Sequence, residues 1–347
     1  NMGSQAMIKV FTVKSLLTPQ NRPHVFPLLF DMHYNEEPDP RLAIYYSFTD
    51  APEDADIFVY PIDINGPFKH GKSRGVLDIL EKWKNYNRPV WVYTSGDYGI
   101  TLMDSRITQF RFGGFKSKFP SSTEVMPAFI QDPYTLQKIK PFYLPKPLIP
   151  QVGFVGFSST SLKVYGKALA ATLYGNLRRV IGKEPTDGQI FYPAAYLRKK
   201  YLNQLERHPE IDTIFIPRDL YRAGATSPEQ RAETTTAFFN NIFISPYTLC
   251  VRGAGNFSVR FYEVLASGRI PLLIDTNVKL PLADAIDWSL HTVIIDASMP
   301  MEVRLQQWHE ATGIKEFEAI QKRNRALWIS QLTRESYFCT IHDRIKL

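Results

Sequence analysis

Cysteine is nearly missing from this chain: 347 residues contain only Cys250 and Cys339. Two thiols cannot make a disulfide framework, and their scarcity points to a reducing, cytoplasmic compartment. Both sit among apolar residues and read as packing groups. Long apolar runs are missing as well. No stretch approaches the ~20 residues that span a bilayer, and no charged-then-apolar segment opens the chain as a signal peptide would. Residues 1–6, NMGSQA, read as an expression-tag remnant, with Met7 as the natural start and a strand beginning at once. The histidines (His24, His33, His70, His208, His291, His309 and His342) are scattered and share no metal-ligand spacing. The one close aspartate pair beside a strand, Asp54 and Asp56, opens that strand at its amino end. Ligands of α/β sheets bind at the other end, so the pair reads as structural and no metal site is expected. Internal repeats, low-complexity segments and nucleic-acid motifs are also absent.

What is present suffices for two cores. The chain is 44% hydrophobic, enough at this length for two domains of ordinary size. Its net charge of +7 is spread out, with small clusters at Arg198-Lys199-Lys200 and around Arg323 and Arg325. Each cluster alone reads as solvated surface. The excess suits an anionic ligand and makes docking on an anionic membrane surface a candidate property.

Strands are expected over residues 7–13, 56–60 and 89–94, with an amphipathic helix over 73–86. That alternation predicts a parallel sheet. Residues 132–150 hold Pro133, Pro141, Pro145, Pro147 and Pro150, a density that reads as an irregular, semi-rigid linker. The domains are therefore expected at 7–131 and 151–313, with a helical segment at 314–347. Within the second, a strand should start at Gln151, helices lie near 161–181, 194–207 and 228–242, and a strand cover 211–216.

Residues 247–275 carry the strongest signal, YTLCVRGAGNFSVRFYEVLASGRIPLLID. They read as a strand, a turn through Gly253 and Gly255, a helix over 257–267 stopped by Gly268, and a second strand. A helix opening at such a turn offers free N–H groups and a positive dipole end to an anion. Arg252 and Arg260 add charge there. Asn256, Arg260, Glu263 and Ser267 are spaced to share one helix face, as a pocket for a nucleotide diphosphate requires. A dinucleotide site is the rival, since residues 253–258 read G-x-G-x-x-S and Asp275 falls where a ribose-binding acid belongs. The missing third glycine and the late position in the chain count against it.

This segment, followed by LPLADAIDWSLHTVII, resembles the signature of the exostosin family of inverting glycosyltransferases. The matching positions are Cys250, Arg252, Gly253, Gly255, Ser258, Arg260, Glu263, Gly268, Ile270, Pro271, Leu280, Pro281, Ile286, Asp287 and Trp288. Weaker echoes lie earlier. Residues 53–61 resemble the family's acidic-Ala-Asp strand, and residues 123–129 its strand before the interdomain link. Residues 95–99 resemble its His-Asp-aromatic-Gly turn, with Gly96 in place of the histidine. The resemblance spans about residues 45–295. It implies an α/β GT-B architecture: two Rossmann-like domains with parallel sheets facing a cleft, and a C-terminal helix that crosses back. It also implies a soluble microbial or viral member, since animal forms carry a stem and an anchor.

On that reading the donor is a nucleotide sugar, UDP-linked, and no other cofactor is needed. The acceptor is a glycan or lipid-linked saccharide hydroxyl, and the activity is hexosyl or pentosyl transfer. Three strand ends of the second domain would cradle the diphosphate. They are Gly156 with Ser158, Arg218, and Arg252 with its turn. Glu263 would accept hydrogen bonds from the ribose hydroxyls, and arginines would stand in for a metal. The general base should come from the facing domain. Asp97, in a glycine-flanked turn after the 89–94 strand, is the candidate, although it could instead cap the next helix. Asp31, His33 and Asp63 are held in reserve. An NAD(P)-dependent oxidoreductase and a non-catalytic sugar-nucleotide or glycan-binding protein remain as alternatives.

Overall fold

The computed structural model describes residues 7–345, so the tag-remnant reading of residues 1–6 lies outside the described residues. Two all-parallel sheets organise the chain. The first contains β1 (Ile8–Phe11), β2 (Tyr46–Phe48), β3 (Ile57–Val59), β4 (Val90–Tyr93), β5 (Ile107–Arg111) and β6 (Thr123–Val125), in the order β2-β1-β3-β4-β5-β6. The second contains β7 (Gln151–Phe157), β8 (Asp212–Arg218), β9 (Tyr247–Cys250), β10 (Ile270–Ile274) and β11 (Val293–Ile295), in the order β11-β10-β9-β7-β8. Helices cover both sheets, so several central strands are largely apolar. Every residue of β4, β9 and β10 is buried. In the second sheet the strand order reverses between β7 and β9. That is where an open α/β sheet leaves a crevice beyond its carboxyl edge.

The last helix, Arg334–Arg344, leaves the second domain and lies on the first. Phe338 packs against Phe26 and Phe110, each 5.9 Å away between ring centres. Tyr46 donates its hydroxyl proton to the Phe338 carbonyl at 2.7 Å, and Tyr337 donates to the Val125 carbonyl at 3.1 Å. Two parallel-sheet domains with a helix crossing back make a GT-B fold. Among the described residues no helix is long and apolar enough to cross a membrane.

Several local expectations need correction. Residues 132–150 are not wholly irregular, because Pro133–Gln137 is a short helix capped by the Asp132 side chain. Proline is well placed there, since the first helical position needs no N–H partner. The helix expected from residue 257 starts at Val259. The helical segment expected at 314–347 holds two helices, Ile314–Leu327 and Arg334–Arg344, joined through a π-type turn at Trp328–Leu332. Strands β2, β5 and β11 and the helix Met301–Ala311 were not anticipated from composition and periodicity.

Candidate active site

Four arginines meet at the carboxyl edge of the second sheet. Arg260, on the Val259–Ala266 helix, lies across the β7/β9 crevice. It donates Nη2 to the Val155 carbonyl at 2.5 Å and Nη1 to the Leu249 carbonyl at 3.4 Å. Its guanidinium stacks on Phe154, 4.2 Å away, and faces Phe238. Gly156 leaves room for it, because a β-carbon there would stand 2.9 Å from Arg260 Nη2. Arg252 follows β9 and is buried, donating to the Ala254 carbonyl at 2.8 Å and stacking on Tyr192 and Phe115. Arg218 ends β8 and donates to the Thr234 carbonyl at 3.1 Å. Arg198, on the Ala194–Glu206 helix, donates to the carbonyls of Phe157 and Arg252 at 3.3 and 3.1 Å.

None of the four makes an ion pair among the described residues. Burial pulls all four below the ordinary arginine value, and Arg260 falls to about 10, with Arg198 and Arg218 adding to the effect. Uncompensated buried cations are costly unless something anionic joins them. Three buried polar atoms at the same edge also lack partners: Arg252 Nε, Arg260 Nε and Ser158 Oγ. The Ser158 N–H is used, donating to the Arg218 carbonyl at 3.3 Å.

Glu263 is the only carboxylate on this helix. Its side chain makes no hydrogen bond or ion pair among the described residues. Burial pushes its pKa up to about 7, against the opposing charge of Arg260. Ser258 caps the helix without using its side chain, so its hydroxyl is available with the Val259 and Arg260 N–H groups, while the Phe261 N–H donates to the Ser258 carbonyl at 3.2 Å. Gly253 donates its N–H to the Phe257 carbonyl at 3.4 Å and has open space where a β-carbon would stand. Asn256 has a different task from the one expected of it. It precedes the helix, donates to the carbonyls of Gly114 and Thr276 at 3.2 and 3.0 Å, and accepts from Thr276 Oγ1 at 2.5 Å. It holds the two domains together rather than presenting a polar group from the helix face.

Asp97 comes to the same place from the other side. Its turn follows β4, and its side chain is exposed on a cleft of about 560 Å³ between the domains. The cleft is also lined by Tyr98, Phe115, Arg179, Gln189 and Asn256. The turn rests on a buried polar lattice. Asp63 accepts N–H bonds from Asn65 and Ser95 at 3.0 and 3.1 Å and a hydroxyl bond from Ser95. Asn65 donates to the Ser95 carbonyl and accepts from Thr94. Of the reserve bases, Asp63 therefore positions the Asp97 turn. Asp31 is fully buried in a two-bond clamp with Arg334, both bonds at 2.7 Å, which removes it as a free base. His33 is exposed on the Pro27–His33 helix, edge-on to Tyr34.

Two groups at the site escaped sequence reading. Arg198 looked like surface charge, because its neighbours Lys199 and Lys200 are charged too. Asp187, in a segment without regular structure, lines the cleft and ties the second domain to the first. It accepts from Arg111 Nη1 at 2.9 Å and from the Thr101 N–H and hydroxyl at 2.9 and 2.8 Å. Neither carries a motif, and only the fold brings them in. No group of three or more His, Cys, Asp or Glu side chains gathers in metal-ligand geometry among the described residues.

No protein-family model matches the chain, and no curated protein matches it. Solved structures give loose likenesses. S. aureus TarM, a mutant in complex with fondaparinux, α-GlcNAc-glycerol and UDP, aligns at a TM-score of 0.36 and 10% identity, over 83% of this chain and 54% of that one. This chain thus spans about half the length of TarM. The trehalose-6-phosphate synthase OtsA aligns at 0.34 and 9% identity, over 98% and 99% of the two chains. The spinosyn forosaminyltransferase SpnP aligns at 0.33 and 10% identity, over 97% and 99%. Likeness this loose carries no argument about chemistry, which rests on the residues above.

Proposed function

We propose that this chain is an inverting glycosyltransferase of the exostosin type. It moves a hexosyl or pentosyl group from a UDP-linked donor to a hydroxyl of a glycan or lipid-linked saccharide. The observation that carries the proposal is the arginine cluster. Arg198, Arg218, Arg252 and Arg260 crowd the β7/β9 crevice with no ion pair among the described residues, beside the start of a helix. A diphosphate supplies the missing charge beside the Ser258 hydroxyl and the first N–H groups of the helix. Glu263, with no partner of its own, takes the ribose hydroxyls.

In the reaction, the acceptor oxygen attacks the anomeric carbon opposite the diphosphate, and the carbon–phosphate-oxygen bond breaks. The acceptor proton passes to the Asp97 carboxylate, and the electron pair leaves with the diphosphate. The arginines and the helix dipole stabilise that charge as it builds, work for which no metal is required. The domains divide the labour, with the donor held by residues 151–313 and the base contributed by residues 7–131. The buried free thiols Cys250 and Cys339 fit a reducing, cytoplasmic setting.

The dinucleotide reading is less favoured, because the Asp275 carboxylate is engaged by its own turn. It accepts the N–H groups of Asn277 and Val278 at 2.8 and 3.3 Å. A thermal-shift screen separates the readings. UDP or a UDP-sugar should raise the melting temperature, and NAD or NADP should not. A shift with NAD alone refutes the proposal. A shift with UDP-sugars but no transfer in any donor–acceptor screen favours a binding protein.

A further inference from the structure

The helix Leu162–Val180 runs 19 residues without burying one of them. One face does have neighbours. Tyr165 meets Phe191 and Tyr196 edge-on, and Asn176 and Arg179 bond to residues 186–189. At about 100° per residue, Leu162, Leu169, Leu173, Leu177 and Val180 project together, alongside Tyr165 and Asn176. They form an apolar stripe the full length of the helix. Leu162 is 83% exposed, Leu173 61%, Leu177 58% and Val180 85%. Tyr174 and Ile181, also exposed, widen it.

Charge says what covers this stripe. Lys163, Lys167 and Arg178 lie along its flank, on the side away from the packing face. No Asp or Glu occurs between Asp132 and Glu184. A second copy of the chain is a poor occupant, because an antiparallel two-fold pairing would set one cationic flank against another. An apolar stripe edged by cations alone matches the boundary of an anionic bilayer. There leucines enter the acyl region, and lysines and arginines extend to the headgroups. The stripe is too narrow and too interrupted by charge to span the membrane.

We propose that this helix docks the protein on anionic membranes. Asn176, Arg179 and Val180 also line the interdomain cleft, so docking brings the cleft mouth to the bilayer surface. That placement suits a lipid-linked acceptor, a consequence that rests on the proposed transferase function. The docking itself does not.

The test is co-sedimentation of the whole chain with vesicles. It should bind phosphatidylcholine–phosphatidylglycerol vesicles and release them as salt rises, and bind pure phosphatidylcholine vesicles far more weakly. Leu173→Glu with Leu177→Glu should cut the partition coefficient by ~10-fold or more. The circular-dichroism spectrum and melting temperature should not change, because both side chains are exposed. Lys163→Gln with Lys167→Gln should lower binding by roughly tenfold and flatten its salt dependence. Wild type that ignores the mixed vesicles, or binding indifferent to the glutamates, overturns the proposal. So does a dimer, seen by light scattering, that the glutamates split. UDP titration of the double-glutamate protein keeps the two claims apart: donor affinity should be that of wild type whatever the vesicles show.

Discussion

Gly255 and Asp97 are in backbone contact across the two domains. A β-carbon on Gly255 would stand 2.5 Å from the Asp97 carbonyl oxygen and 2.9 Å from its Cα. The glycine turn of one domain thus seats the turn that carries the candidate base of the other. Gly255→Ala should push the turns apart and lower transfer by ~10-fold or more, the scale expected of a misplacement near 1 Å. UDP affinity should change little. Full activity in steady-state assays of this variant would show that the contact does not position Asp97.

Asp97→Asn keeps the shape of the turn and removes the base. Transfer should fall by ~100-fold or more, with donor binding nearly intact, because the residue belongs to the opposite domain. An Asp97→Asn enzyme with wild-type kcat would transfer the role elsewhere. His33 would be the next candidate, since Asp31 and Asp63 are committed to Arg334 and Ser95.

Glu263 predicts a pH dependence. Burial raises its pKa from 4.5 to about 7, so the folded chain retains a proton that the unfolded chain releases. Its stabilising contribution is complete below about pH 4.5 and is lost as pH rises through about 7. Relative to Glu263→Gln, wild type should lose on the order of 3 kcal/mol over that window in urea unfolding. UDP should reverse the trend, since a carboxylate accepting ribose hydroxyls prefers the ionised form. Equal pH profiles for the two proteins would show that Glu263 is not the buried acid described here.

Asp187→Ala removes three bonds that tie the two domains together beside the cleft and leaves the buried Arg111 guanidinium without its ion-pair partner. Asp187 is partly exposed, so the loss should be moderate, about 1–3 kcal/mol. Acceptor KM should rise more than donor KM, because Tyr98 and Arg179 lie at the same junction. A melting temperature within a degree of wild type would contradict the latch.

The sequence showed the parts whose physics is local. The 247–275 unit was readable because buried parallel strands are apolar throughout and a glycine turn must link them to the helix. β2 and β11 have three residues each, too few to show a period, and β5 carries Thr108, Gln109 and Arg111 among its apolar residues. Arg252, Arg260 and Glu263 could be named because they sit on the motif. Arg198 and Asp187 could not, because long-range packing alone separates them from ordinary surface charge. Asn256 was misassigned for a related reason. Helical spacing placed it on a polar face, but the helix begins three residues later and leaves it to bind Gly114 and Thr276.

The central claim is that arginines, not a metal, hold a nucleoside diphosphate at the β7/β9 crevice. Calorimetric titration with UDP in the presence of EDTA tests it most directly. The account predicts a single site that binds UDP in EDTA and is weakened about tenfold or more by Arg252→Ala, the usual scale for a lost charge-assisted hydrogen bond. Affinity that vanishes in EDTA, returns with manganese and ignores Arg252→Ala would contradict it.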